Sequence, residues 1–404
     1  MVRPGQLARA GLCLALACVL LWAAFLALER AWADHLFGRR NPRDRARAAA
    51  LAPGNADYRV ALDSSADLEA AVRLNPYHTA ARIELALRAE LAGDLRRAEA
   101  LLLEAARFDR TYEPLWAVAN FYFRRGHRKQ FLRWARAANE MAYMDQSALF
   151  DLCWRLSSDG EEILREAIPD RVEIVAQYLD YLLRHGRLDA ASGAAERLVE
   201  LAWKDHVPLL VAYVDALIRG GQAASAWQWW DRLATRRLIP YSPPNAARPL
   251  TNGDFRVSPF EGGFDWRLSR PPGTHAQVVP SVGEARFSFS GRQPERCRLL
   301  EQILRLPPRG SCRLRFRYHT AGFACPGGLS WRLADLADRS TLALAAHDLC
   351  SSEPTTSQIE FTTPAGAEWF RLSLEYARPL GAIRIEGELV LSGVTLECSG
   401  PPGG

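Results

Sequence analysis

Apolar residues follow three different rhythms along this chain. The first is an unbroken run, "AGLCLALACVLLWAAFLAL" at Ala10–Leu28, with no charge in it. Wound as a helix it is about 28 Å long, enough to cross the hydrocarbon core of a bilayer. The second occupies residues 45–240, where apolar and small residues recur every three or four positions, the spacing of amphipathic helices. The third begins near residue 250. In "CRLRFRYHT", Cys312, Leu314, Phe316 and Tyr318 share one face while Arg313, Arg315 and Arg317 share the other. That alternation belongs to a strand with one dry and one wet side. Comparable runs ("ARFSFSG", "CRLLEQILRL", "GLSWRLADL", "STLALAAH", "SQIEFTT", "WFRLSLEYA" and "IRIEGELVLSGVTLE") predict eight or nine strands separated by Gly, Pro and Ser turns. The predicted fold class is multidomain, α then β: an N-terminal transmembrane helix, an α-solenoid of helix pairs, and a C-terminal antiparallel β-sandwich. A length of 404 residues agrees, being too great for one ordinary core.

The helical region repeats itself. Four segments align on a glycine followed by a polar turn and then a small residue, with the glycines at Gly93, Gly126, Gly186 and Gly221. Gly93 to Gly126 is 33 residues and Gly186 to Gly221 is 35; Gly160 falls 34 after Gly126 and marks a degenerate unit with a shortened second helix. Two helices cross closely only where small residues stand at the contact, hence Ala98 and Ala191. The turn between them needs a residue free to take positive φ, hence glycine. The period and these residues resemble the tetratricopeptide repeat, with "LNPY" at 74–77 in the place where one unit ends and the next opens and residues 50–76 as a worn first unit. The resemblance implies a concave groove lined by the first helix of each pair and a protein partner within it. In the second aligned unit it places Trp116, Asn120 and Arg124 there, the last two suited to a peptide backbone or carboxylate. The alternative is that these side chains only solvate the surface. The cluster Trp227, Trp229 and Trp230 closes the array, and is expected to cap the last helix against the next domain.

Pro240, Pro243, Pro244 and Pro249 stop the helix, so 241–249 is expected to be a short stiff linker and 250–398 the sandwich, with 399–404 a tail. The sandwich opens on "LTNGDFRVSPFEGGFDWRL". Asn252, Gly253, Asp254 and Phe255, followed by Phe264 and Trp266, resemble the opening of galactose-binding-like jelly rolls, the class that includes many carbohydrate-binding modules. In that frame "NGDF" starts the first strand with Phe255 turned inward, and "EGGF" is a turn. The resemblance implies exposed aromatics stacked on sugar rings. The candidates are Trp266, Trp331, Trp369 and Tyr376, with Arg317, Arg332 and Glu375 beside them. The opposed reading makes Trp266 and Trp331 plugs of the core.

Localisation rests on the N-terminus and the cysteines. Residues 1–9 form a short tail carrying Arg3 and Arg9, and 10–28 are either an anchor or a signal segment cut after Ala33 of "AWA"; the length of the run favours the anchor. Arginines at 30, 39, 40, 43, 45 and 47 follow it, which by simple count faces the bulk of the chain to the cytoplasm. Five of the eight cysteines lie in the last third, with no Cys-x-x-Cys, and Cys325 with Cys350 flank one strand pair and could bridge. That leans toward export and a periplasmic location on an inner membrane.

Charge and motifs narrow the function. The net charge is +5, and the arginines are interleaved with Glu and Asp rather than gathered on one face, so nucleic-acid binding is not expected. The histidines are scattered, no metal-site spacing appears, and neither a P-loop nor a Gly-x-Gly-x-x-Gly is present. "GLSWR" lacks the final glycine of a nucleophile elbow. Asp254 and Glu261 lack the acidic company of a Ca²⁺ site. The expectation is a non-catalytic membrane-anchored envelope scaffold without cofactor or metal. It would bind protein through its repeats and polysaccharide through its sandwich, as an accessory to surface polysaccharide assembly. The competing expectations are a protein scaffold without sugar binding and, behind both, a glycan-active enzyme.

Overall fold

The computed structural model describes residues 4–39, 41–201, 204–245, 248–322, 325–337, 341–344 and 348–399. Its chain packs as two units, residues 1–178 and 179–404.

The first unit begins with α1 (Pro4–Gly38), whose stretch from Gly11 is apolar enough, and long enough, to cross a membrane. Its far end is not free. Ala33 and Leu36 are buried in a small core with Ala48 and Ala49 of α2 (Pro42–Leu51) and Tyr58 of α3 (Ala56–Val60), and the Tyr58 hydroxyl donates to Asp34. Helix pairs follow: α3 with α4 (Ser65–Leu74), α5 (Thr79–Leu91) with α6 (Leu95–Phe108), α7 (Tyr112–Arg124) with α8 (Arg128–Glu140), and α9 (Ser147–Leu156) with α10 (Gly160–Glu166). Side-chain oxygens close the first turns: Ser64 accepts from Asp67 N at 3.1 Å, Asp94 from Arg97 N at 3.1 Å, Asp159 from Glu161 N at 2.9 Å. Gly93 and Gly126 sit at φ 83° and 69°, as the turn between paired helices requires. Ala86, Ala98 and Ala105 are fully buried at the crossings. These are tetratricopeptide-type pairs. Gly160 differs from the aligned glycines: it opens α10, capped by Asp159, rather than turning the chain, and α10 is only 7 residues long.

In the second unit, α11 (Val172–Arg184, which straddles the division), α12 (Leu188–Leu201), α13 (Val207–Arg219) and α14 (Ala223–Thr235) lead into the sandwich. Gly186 and Gly221 again turn the chain at positive φ. Ten strands follow: β1 (Arg267–Leu268), β2 (Thr274–Val279), β3 (Glu284–Ser290), β4 (Arg296–Arg305), β5 (Ser311–Ala321), β6 (Leu329–Asp335), β7 (Thr341–Ala343), β8 (Thr355–Thr362), β9 (Trp369–Ala377) and β10 (Glu386–Ser399). They form two antiparallel sheets, β1-β4-β9-β6-β7 and β2-β3-β10-β5-β8. The inward residues of β5, Cys312, Leu314, Phe316 and Tyr318, are all buried between them. Cys312 pairs in register with Cys398 on β10 and bridges to it, and Cys325 bridges to Cys350. Cys297 is left as a free thiol.

The expected first strand at "NGDF" is absent. Residues 251–254 form a turn, with Asn252 and Phe255 at φ 53° and 52°, and the ladder starts only at Arg267. The loop is fastened instead to β10. Gly393, at φ 58°, occupies a bulge in that strand. Val394 N donates to Gly253 O at 2.8 Å, and a Cβ at Gly253 would lie 2.0 Å from Val394 O. Gly253 therefore serves close approach rather than backbone freedom. The segment read as a linker is also packed: Tyr241 is buried and its hydroxyl donates to the buried Asp265 at 2.6 Å.

Candidate functional site

The helical groove takes shape on α5 and α7. Trp116, Asn120 and Arg124 are four residues apart and so lie on one face of α7. Trp116 and Asn120 are half-buried; Arg124 is exposed. Tyr112, one turn earlier, stacks on Trp116 at 6.0 Å between ring centroids, and Tyr143 meets Tyr112 edge-on at 6.2 Å. Tyr143 is held by its hydroxyl, which donates to Glu113 at 2.7 Å. The Asn120 amide donates to Trp116 O at 3.0 Å, which fixes the side chain against its own helix. One repeat earlier, Leu87 and Leu91 stand 33 positions before Asn120 and Arg124, the spacing of Gly93 and Gly126, and Leu91 is 88% exposed.

Arg124 is not available to a peptide carboxylate as expected. Its guanidinium forks onto Glu90 of α5, with Nε to Oε1 at 2.9 Å and Nη2 to Oε2 at 2.6 Å, and Arg125 adds a third bond at 3.3 Å. Hydrogen bonding from Arg124 lowers the Glu90 pKa, against the opposing effect of burial. The pair ties successive first helices together. What remains for a ligand is an apolar and amide strip: Leu87 and Leu91 on α5, Tyr112, Trp116 and Asn120 on α7, and Tyr143. Sequence reasoning missed Tyr112, Tyr143 and the two leucines. The leucines could have been found by carrying the groove positions back one repeat.

The sandwich does not offer the expected sugar platform. Trp266, Trp331 and Tyr376 are fully buried among the inward side chains of both sheets, with Trp266 6.3 Å from Trp331, so the core reading is the correct one for them. The Trp266 indole donates to Asn252 O at 3.0 Å. Trp369 is half-buried. Trp227 of α14 packs against it edge-on at 5.9 Å and Phe264 at 6.0 Å, and the Arg305 guanidinium lies 5.6 Å from its centroid, so the ring is partly covered. Among the described residues no Phe, Tyr or Trp of the sandwich is exposed. Arg317 is exposed on the outer face of β5, in register with Thr356 of β8 and Ser392 of β10. Arg332 and Glu375 pair with each other on the opposite sheet at 3.3 Å. Glu261 is held by Arg270 at 2.6 Å.

Asp265 is the buried carboxylate of this domain. It accepts from Tyr241, from Phe260 N at 2.8 Å and from Trp266 N at 2.7 Å. Burial raises its pKa despite these bonds. It ties the 260–266 loop to Tyr241. Two of the three tryptophans of α14 meet the sandwich: Trp227 packs on Phe264, Trp230 is buried between Tyr241 and Phe264, and a Cβ at Gly263 would lie 2.3 Å from the Trp230 ring, whereas Trp229 packs on Tyr213 of α13. Asp215 of α13 completes the junction, accepting from Gly263 N at 2.7 Å and from the Arg267 guanidinium.

No family profile matches the sequence, and no curated protein matches it. Among solved structures, one titled "CBM4 structure and function" is 14% identical over 37% of this chain and 98% of its own, with a TM-score of 0.29. The CBM22-1 xylan-binding domain of Paenibacillus barcinonensis Xyn10C is 10% identical over 37% of this chain and 92% of its own, TM-score 0.26. YrrB, described as a TPR protein with an unusual peptide-binding site, is 14% identical over 43% of this chain and 94% of its own, TM-score 0.23. Likenesses at this level carry no argument about ligands; what the chain can bind is argued from its own side chains.

Proposed function

We propose that this chain is a non-catalytic scaffold, anchored in a membrane by α1, that binds an extended protein segment along the strip on α5 and α7. The observation that carries this reading is the strip itself. Leu87 and Leu91 leave apolar surface uncovered on α5, at the positions that correspond one repeat earlier to Asn120 and Arg124 of α7, and such surface is stabilised by a partner that covers it. The sandwich's aromatics are spent in its core and on α14, so its role is to terminate the helical array. Retention of α1 as an anchor is supported by Ala33: the residue before the candidate cleavage point lies inside a continuous helix, packed on α2 and α3. The two disulfides favour an oxidising compartment, and with it the periplasmic side of an inner membrane. A reporter fused after residue 45 checks the side; activity of a cytoplasm-only reporter there defeats the periplasmic assignment. Trp116→Ala and Leu91→Asp are expected to abolish capture of peptides selected from a display library against the full chain in detergent. Selected peptides indifferent to both changes would overturn the groove.

One observation favours a second role. Arg315 and Arg317 form no hydrogen bond or ion pair among the described residues, and stand beside Gln358, Thr356, Thr395 and Ser392 on an open polar sheet face. That lining suits an acidic polysaccharide held by charge and hydroxyl contacts rather than by stacking, and a place in surface polysaccharide assembly would follow from it. Binding of acidic glycans to the full chain, lost in Arg317→Ala, tests this; glycans bound equally by both proteins would defeat it.

A further inference from the structure

A cleft of about 540 Å³ opens within the second unit where the α13–α14 turn meets the outer face of the β1-β4-β9-β6-β7 sheet. Three arginines line it: Arg219 at the end of α13, Arg267 on β1 and Arg371 on β9. Two carboxylates line it as well, but both are already satisfied. Asp215 is taken by Arg267 and Gly263 N, and Glu301 accepts from Arg298 at 2.6 Å with Arg371 Nε at 3.3 Å. The cations are only partly so: Arg267 and Arg371 each have a carboxylate partner, and Arg219 has none among the described residues. Arg219 makes only a long bond from Nε to Asp215 O at 3.4 Å, and neither its terminal nitrogens nor those of Arg371 have a partner among the described residues. Arg267 is locked by Asp215 and Gly263 O, and its Nη1 is buried without a partner. The cleft thus carries one more positive charge than negative, as two open forks on separate elements, the geometry that takes a carboxylate.

The remaining wall is aliphatic: Ile218, Ile303 and Leu336 lie beside the forks. Trp369 also reaches the cleft, with Trp227, Phe264 and Arg305 packed around its ring. A ligand that matches both halves carries a carboxylate next to an apolar group. The geometry points to this cleft as a receptor for the free C-terminal carboxylate of a peptide whose last side chain is aliphatic. The carboxylate would bridge Arg219 and Arg371, with Arg267 supplying fixed positive charge behind them. The side chain would pack on Ile218, Ile303 and Leu336. The site is separate from the α5–α7 strip, so the two stand or fall independently.

The test uses the full chain in detergent micelles and three labelled probes: a pentapeptide ending in leucine with a free carboxylate, the same peptide as its C-terminal amide, and a glucuronate oligosaccharide. The free acid is expected to bind at least tenfold more tightly than the amide, and to weaken as salt is raised. Arg219→Gln and Arg371→Gln should each erase that difference. Arg219 is exposed and holds no structural ion pair, so its variant keeps the test valid even if Arg371→Gln perturbs the sheet around Glu301. Equal binding of acid and amide, no binding of the acid, or an acid preference that survives Arg219→Gln overturns the proposal. Saturation by the glucuronate oligosaccharide with no binding of the peptide also overturns it, assigning the cleft to a glycan instead.

Discussion

Some aromatic residues of the helical repeats stay open to solvent, whereas those on the inner side of the sandwich do not. In the repeats Tyr77 and Tyr143 are 69% and 71% exposed, and Trp116 is half-covered. In the sandwich Trp266, Trp331 and Tyr376 see no solvent to speak of. The difference is architectural. A helix pair buries one face of each helix against its neighbour and leaves the groove side with nothing above it. Two sheets packed face to face cover every inward position of both. Phe121, Tyr122, Phe150, Tyr178, Tyr181 and Tyr213 on first helices are buried as well, so an aromatic residue of the repeats is a candidate for recognition only on the open side of a helix or in a turn between helices, whereas one on the inner side of a strand is a structural plug.

The sharpest test of that contrast is paired truncation. Trp266→Ala is expected to destabilise the sandwich by about 3–5 kcal/mol, the cost of emptying a large core site, whereas Trp116→Ala should cost about 1 kcal/mol or less while removing peptide capture. Denaturant unfolding followed by circular dichroism measures both, and similar losses would erase the distinction. Asp265→Asn comes next, at about 1–3 kcal/mol, because one of the three donors aimed at the carboxylate would then face an NH₂ group. Acid should separate the two regions in sign. Glu90, whose pKa is lowered by Arg124, contributes stability above the ordinary carboxylate value of 4.5, and loses it as pH falls through its folded value. Asp265, whose pKa is raised by burial, does the reverse: its contribution falls as pH rises from 3.8 through its folded value. Glu90→Gln is therefore expected to cost no more than about 1 kcal/mol at pH 7 and nothing at pH 2, measured as the shift in unfolding midpoint. A cost that persists in acid would break the assignment. The smallest effect expected is a gain. The Tyr376 hydroxyl is buried with no hydrogen-bond partner among the described residues, so Tyr376→Phe should stabilise the sandwich by up to about 1 kcal/mol.

Much of the fold was legible because its signals are local. The glycines at 93, 126, 186 and 221 report a turn that any observer of the 33–35-residue period can place, and all four adopt positive φ. The alternation in β5 reports its own buried face. The Glu90–Arg124 pair was within reach too, since the two residues lie 34 apart, near one repeat. "NGDF" was not legible in the same way. Its glycine answers to Val394, far along the chain, and the two glycines of "EGGF" answer to Val211, Asp215 and Trp230 on the helices before it. The strand β2 went unread because its pattern, half-buried and exposed in turn with one buried alanine, barely alternates.

By itself the sequence determined the elements: an apolar helix, helix pairs at a tetratricopeptide period, and alternating strands of a sandwich. Those follow from periodicities of a few residues, which act before any distant part of the chain is in place. Only the tertiary structure decided which side chains are left over for a partner. It buried Trp266, Trp331 and Tyr376, half-covered Trp369 and Trp116, engaged Arg124 with Glu90 and Arg371 with Glu301, and left Leu91 and Arg219 open. Availability depends on what lies opposite a side chain across a sheet, a groove or a junction, and those neighbours come from dozens of residues away.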